Sequence, residues 1–211
     1  APLDLALLID VSGSMMDIPR QIVLGAVPAL RYLGPEDRVA VLSFSSGCRV
    51  ELDLTGDRDQ IVKAIETAAG RISLEREANT RLYDALARGL QLFDARREPN
   101  LRRALVAVTD DREQKSKVRL ETLIKAAREK DVTVSALIRR ENPLYRGGPP
   151  GPWPPPPEPP KPPILFPRPR IPVDAGQRSM ERLVEATGGE YLHPRTKGDA
   201  LIVTLDRVRA R

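Results

Sequence analysis

Asp10, Ser12 and Ser14 follow one another at intervals of two directly after the apolar run Leu3 to Ile9, and Asp110 and Asp111 follow a second apolar run ending at Thr109. Carboxylates and hydroxyls collected at the ends of two apolar runs form a ligand set of hard oxygens. Such a set suits Mg²⁺, Mn²⁺ or Ca²⁺ and gives no preference for a soft metal. Asp10 and Ser12 alternate by two, so they project the same way while the chain is extended, and Gly13 permits the turn that brings Ser14 round. Taken singly, Asp10 reads as a cap or turn residue and each serine as a hydroxyl bonded to local backbone. The joint spacing is what points to a cation.

Those residues need a scaffold, and the rest of the chain supplies one. Leu3 to Ile9, Arg38 to Phe44, Arg103 to Thr109, Val132 to Ile138 and Glu190 to Leu192 read as strands, four of them near-continuously apolar as in a parallel sheet covered on both faces. Cys48 to Leu54 alternates instead, with Val50, Leu52 and Leu54 expected on one face. It follows Phe44 after only three residues, too few for a parallel crossover, so it is expected as an antiparallel edge strand. Helical periodicity appears at Ile18 to Leu33, Asp59 to Ala69, Arg81 to Ala95, Arg119 to Lys130, Gln177 to Thr187 and Asp199 to Arg209. This alternation predicts an α/β fold: a doubly wound, mostly parallel sheet with one antiparallel edge strand and helices on both faces. Ligands of such sheets sit beyond the carboxyl ends of the strands, where strand order reverses.

Three segments then resemble one family. Asp10-Val11-Ser12-Gly13-Ser14-Met15 fits the Asp-x-Ser-x-Ser signature of the von Willebrand factor type A (vWA) domain and its metal-ion-dependent adhesion site. Thr80 in Asn79-Thr80-Arg81-Leu82-Tyr83-Asp84 stands at that family's metal-binding threonine, and Asp110 in Val106-Ala107-Val108-Thr109-Asp110 at its second aspartate. Ala186-Thr187-Gly188-Gly189-Glu190-Tyr191 looks like the family's usual approach to the last strand. The resemblance spans the chain outside residues 142–175, and with that insert the whole of residues 1–211 reads as one vWA-like domain of bacterial type. It implies that Ser12, Ser14 and Thr80 contact a divalent cation through hydroxyls, that Asp10 and Asp110 bind directly or through water, and that one open position takes an Asp or Glu side chain of a protein partner. The departure is Asp111, where the family commonly has glycine. Asp17 would support a neighbouring cation or cap a helix at Ile18.

The resemblance therefore implies a metal-dependent, adhesion-type protein-binding module and no enzyme. The alternative is a mechanical adaptor subunit of an ATPase or chelatase-like assembly; a metal-dependent hydrolase comes third. A phosphatase of the haloacid dehalogenase type wants a second acid where Ser12 stands, and no phosphate-binding glycine loop or nucleophile elbow occurs. His193, the one histidine, reads as a strand-end residue, and Cys48, the one cysteine, as hairpin packing. A net charge of +5 permits nucleic-acid binding, but the basic residues are interleaved with acids and aromatics reach only 4 %, so no nucleic-acid partner is expected.

Of 21 prolines, fifteen lie between Pro143 and Pro172, which enforces polyproline II there. This segment, 142–175, reads as a tether or folded-back loop, or as a docking peptide for an aromatic-grooved domain, with Trp153 and Phe166 as anchors. No apolar stretch approaches the about 20 residues of a membrane span. The start at Ala1 ahead of a strand and the stop in a charged helix lead us to expect a domain excised from a longer chain, and the resemblance to single bacterial vWA modules implies an extracytoplasmic or secreted location rather than a cytoplasmic one.

Overall fold

The computed structural model describes residues 1–15, 25, 28–71, 80–95, 98, 100–138, 179–192 and 206–208. The proline-rich segment, Trp153, Phe166, Asp17, Asn79, His193 and most of the helices expected at 18–33 and 199–209 lie outside these residues. In chain order the elements are β1 (Leu3–Asp10), β2 (Arg38–Phe44), β3 (Cys48–Thr55), α1 (Arg58–Arg71), α2 (Leu82–Gln91), β4 (Arg102–Thr109), α3 (Leu120–Glu129), β5 (Val132–Ile138), α4 (Ser179–Thr187) and β6 (Tyr191–Leu192). They form one six-stranded sheet in the order β3-β2-β1-β4-β5-β6, with every pairing parallel except β2 with β3.

Because successive strand residues point to opposite faces, the apolar strands feed two cores. Leu3, Leu5, Leu7 and Ile9 of β1 join Val39 and Val41 of β2 and Ile61, Ile65 and Ala68 of α1 on one side. Ala6 and Leu8 join Leu42 and Phe44, the α2 stripe Leu82, Ala85, Leu86 and Leu90, and Leu123, Met180 and Leu183 of α3 and α4 on the other. Helices on both faces make the sheet doubly wound. The α2 stripe packs so closely that a Cβ on Gly89 would lie 2.8 Å from a Leu105 methyl and 3.0 Å from one of Leu8.

One expectation about β3 needs correction. Val50 and Leu54 pack against the α2-side core, but Leu52 packs against the α1-side core. The cause is a pair of irregularities in the ladder: Leu42 pairs with Val50, Val41 with Leu52 and Val39 with Thr55, so β3 carries an extra residue on each side of Leu52; Glu51 is the first and turns Leu52 to the opposite face, and the second returns Leu54 to the face of Val50. Glu51 is used on that side, where its carboxylate accepts the Arg71 Nε–H of α1 at 2.7 Å and the Ser43 hydroxyl at 2.5 Å. Both hydrogen bonds hold its carboxyl below the usual range against the opposing effect of burial.

Two buried carboxylates secure the amino-terminal edge of the sheet. Asp4 receives Arg38 through Nε at 2.9 Å and Nη2 at 2.6 Å, across the register that pairs these two residues. Asp37 accepts the N–H of Leu3 at 2.9 Å and that of Gly34 at 2.7 Å, which ties the start of β1 to the turn before β2.

Candidate functional site

β1 and β4 are neighbours at the point where strand order reverses, so their carboxyl ends bring Asp10 and Asp110 to one edge. Backbone hydrogen bonds then sew the surrounding loops together. Val11 N–H reaches the Phe44 carbonyl at 2.8 Å, Arg81 N–H the Ser45 carbonyl at 2.9 Å, and Gln114 N–H the Thr80 carbonyl at 2.7 Å. Thr80 is thereby held between the loops that follow β2 and β4, although about 70 residues of chain separate it from Asp10. Ser12, Thr80 and Asp110 are buried with Asp10; Ser14 is half-buried.

Asp10 is 0 % exposed, and its partners among the described residues are neutral. One carboxylate oxygen accepts the Ser12 N–H at 2.9 Å and the other accepts the Thr109 hydroxyl at 2.7 Å. Burial, with a contribution from neighbouring Asp110, lifts its carboxyl to about 6 despite those bonds. Asp4, at the other end of the same strand, has a guanidinium; among the described residues Asp10 has none. Ser12 and Ser14 share a hydrogen bond with their hydroxyl oxygens 3.0 Å apart, in a 3-10 turn over Gly13–Met15. The freedom of Gly13 is not used there in the way the sequence suggests, because among the described glycines only Gly188 has positive φ.

The donor set fits a small hard cation. Among the described residues, two carboxylates and three hydroxyls gather at the loops of the switch point, a set of hard oxygen donors. Among the described residues no group of three or more His, Cys, Asp or Glu side chains is placed to hold a metal, so a cation here depends on the hydroxyls of Ser12, Ser14 and Thr80 as much as on acids. Arg112 lies against the site, with Nε 3.4 Å from an Asp110 carboxylate oxygen and its side chain 47 % exposed. An incoming cation meets this competing charge. Arg112→Ala is expected to raise Mn²⁺ affinity about two- to threefold, because exposed pairs of this kind contribute only about 0.5 kcal/mol; unchanged or weaker binding in a titration would show that the guanidinium does not oppose the metal.

Three contributors escape the sequence reading. Thr109 reads only as strand, yet its hydroxyl donates to Asp10 and accepts the Asp111 N–H at 3.2 Å. A hydroxyl at the end of an apolar strand adjacent to the Asp10 strand is the signal that was available. Ser179 and Tyr191 carried no signal; they meet Asp111, whose carboxylate faces α4 and β6. Asp111 accepts the Tyr191 hydroxyl at 3.1 Å, a long 3.5 Å contact from Ser179 Oγ and the Met180 N–H. Burial above all pushes the Asp111 carboxyl up to about 7.

A family model for the von Willebrand factor type A domain matches residues 5–113, just over half of the chain, and includes all five of these oxygen-bearing residues. The chain belongs to the vWA family. Its fold is shared by solved structures of low sequence identity. A conserved hypothetical protein, BatB from Bacteroides thetaiotaomicron, aligns at 16 % identity and TM-score 0.69 over 99 % of this chain and 97 % of its own. A von Willebrand factor type A protein from Catenulispora acidiphila aligns at 17 % and 0.65 over 100 % of this chain, which spans 42 % of that longer protein. An aerotolerance-related membrane protein from Bacteroides fragilis aligns at 16 % and 0.63, over 99 % of this chain and 100 % of its own. No curated protein matches the sequence. vWA domains are in general protein-interaction modules rather than enzymes. Among the described residues of this vWA domain, no helix is long and apolar enough to cross a membrane.

Proposed function

We propose that this vWA domain binds a divalent cation, Mg²⁺ first, through Asp10, Ser12, Ser14, Thr80 and Asp110, and uses it to capture an Asp or Glu side chain of a protein partner without making or breaking a covalent bond. The observation that carries the reading is the Asp10 carboxylate, wholly buried, held by neutral donors and next to a second acid. Asp4, a structural aspartate on the same strand, is treated differently: it receives a bidentate arginine. A divalent ion bound by only two acids and neutral hydroxyls remains electrophilic enough to attract a further carboxylate.

Mg²⁺ is therefore expected to raise thermal stability by mass action, by about 2.7 kcal/mol at a hundredfold excess over Kd. Asp10→Ala and Asp110→Ala should abolish that rise. Thr80→Ala should weaken it while leaving the metal-free fold intact. Scanning calorimetry from micromolar to ten-millimolar Mg²⁺ decides the point, and a native chain indifferent to the ion throughout would refute the cation site. Capture of a partner that persists in chelator would place the interface elsewhere on the domain.

A further inference from the structure

Asp110 and Asp111 are consecutive, yet their side chains serve different neighbours. Asp110 belongs to the candidate cation site and lies near Arg112. Asp111, 2 % exposed, is directed to the first turn of α4 and to β6. The divergence comes from the backbone: Asp111 adopts φ +60, a left-handed conformation that Asp and Asn tolerate better than other residues with a Cβ and that its hydrogen bonds hold in place. Here it is held at both ends. Its N–H is fixed by Thr109 Oγ1, whose own proton goes to Asp10, and its carboxylate by the Tyr191 hydroxyl, Ser179 and the Met180 N–H.

We propose that Asp111 is a positioning residue for the cation site, tying the loop after β4 to the start of α4 and to Tyr191 so that the Asp110 carboxylate stays aimed at the metal. This rests on the cation reading above. Without the Asp111 carboxylate, the left-handed turn has no anchor on its α4 side. The loop then relaxes toward negative φ and carries Asp110 with it. The same tie makes the effect reciprocal: a cation that orders Asp110 tightens the first turn of α4.

The probe is Mn²⁺ alone, followed by the electron paramagnetic resonance signal of the free ion, with hydrogen exchange of the α4 amides as a second readout. Asp111→Ala is expected to weaken Mn²⁺ at least tenfold. Asp111→Asn, which can accept from Tyr191 and tolerates the left-handed conformation, should restore affinity to within about twofold of native. Tyr191→Phe and Ser179→Ala, neither of them at the cation, should each weaken Mn²⁺ a few-fold, and Tyr191→Phe should add nothing in the Asp111→Ala background. Mn²⁺ should slow exchange in the first turn of α4 in the native chain and not in Asp111→Ala. If Asp111→Ala and Tyr191→Phe lower the melting temperature but leave Mn²⁺ affinity unchanged, Asp111 only stabilises α4 and the positioning role is overturned while the cation site stands. Absence of Mn²⁺ binding by the native chain would overturn both. Should Asp111→Ala not fold, Tyr191→Phe and Ser179→Ala decide alone.

Discussion

Asp10→Asn is expected to make the metal-free chain more stable at pH 7 and, at the same time, to remove its response to Mg²⁺. The sign follows from the folded carboxyl standing near 6 against an ordinary value of 3.8. Between those values the folded chain binds more protons than the unfolded one, so stability falls as pH rises through that window. Some two units correspond to about 3 kcal/mol lost by pH 7 relative to pH 4. An amide at position 10 carries no charge to desolvate and still accepts the Ser12 N–H. Denaturant unfolding in chelator should show the variant roughly 1 to 3 kcal/mol more stable than native at pH 7, with the gap closing toward pH 4. Excess Mg²⁺ should narrow the difference at pH 7, by stabilising only the native chain. A variant less stable than native in chelator at pH 7 would mean that Asp10 is a structural hydrogen-bonding residue with no strain held for a ligand.

Gly189→Ala should destabilise the fold by about 3 kcal/mol or more, whereas Gly188→Ala, one residue away, should cost only about 1 kcal/mol. The two glycines act through different physics. Gly188 has φ +72 with open space around its missing Cβ, so the cost there is backbone conformation alone. At Gly189 an added Cβ would stand 1.8 Å from the Val134 carbonyl oxygen and 2.6 Å from its carbon, and a backbone group in the middle of β5 cannot swing aside. The Gly189 N–H meanwhile closes α4 on the Val184 carbonyl at 2.9 Å, and the Ala136 N–H reaches the Glu190 carbonyl at 2.8 Å. Thermal unfolding of the two variants separates the cases; near-equal losses would show that β6 can shift away from β5.

The sequence made some of this legible and left the rest dark for identifiable reasons. Four strands and four helices could be placed because their apolar periods are long, and β3 because the three-residue Ser45–Gly47 link is too short for anything but a hairpin. Leu52 lies on the face opposite to the one its alternation suggests because the extra residues on either side of it in the ladder leave no compositional trace. Asp10, Ser12 and Ser14 were readable together because their spacing is local. Asp110 was readable from its place at the end of a second apolar run, whereas Thr80 entered through family resemblance, since it is the hydrogen bonds from Arg81 to Ser45 and from Gln114 to Thr80 that bring its loop to the others. Asp111 stood out as a departure from glycine, but its partners lie 68 and 80 residues away at Ser179 and Tyr191, and no local pattern encodes such a meeting.

The placement of Asp10 and Asp110 also has a mechanical consequence. Asp10 ends β1 and Asp110 directly follows β4, the two strands at the centre of the sheet, each of which is paired in parallel on both sides over seven residues of register. A pull applied to these carboxylates along the strand direction runs across the inter-strand hydrogen bonds rather than along them. The bonds of a ladder are then loaded together in shear and must fail as a group, and seven residues share the load where β6, among the described residues, pairs over two. A tether fastened at this edge transmits tension into the most strongly braced part of the molecule.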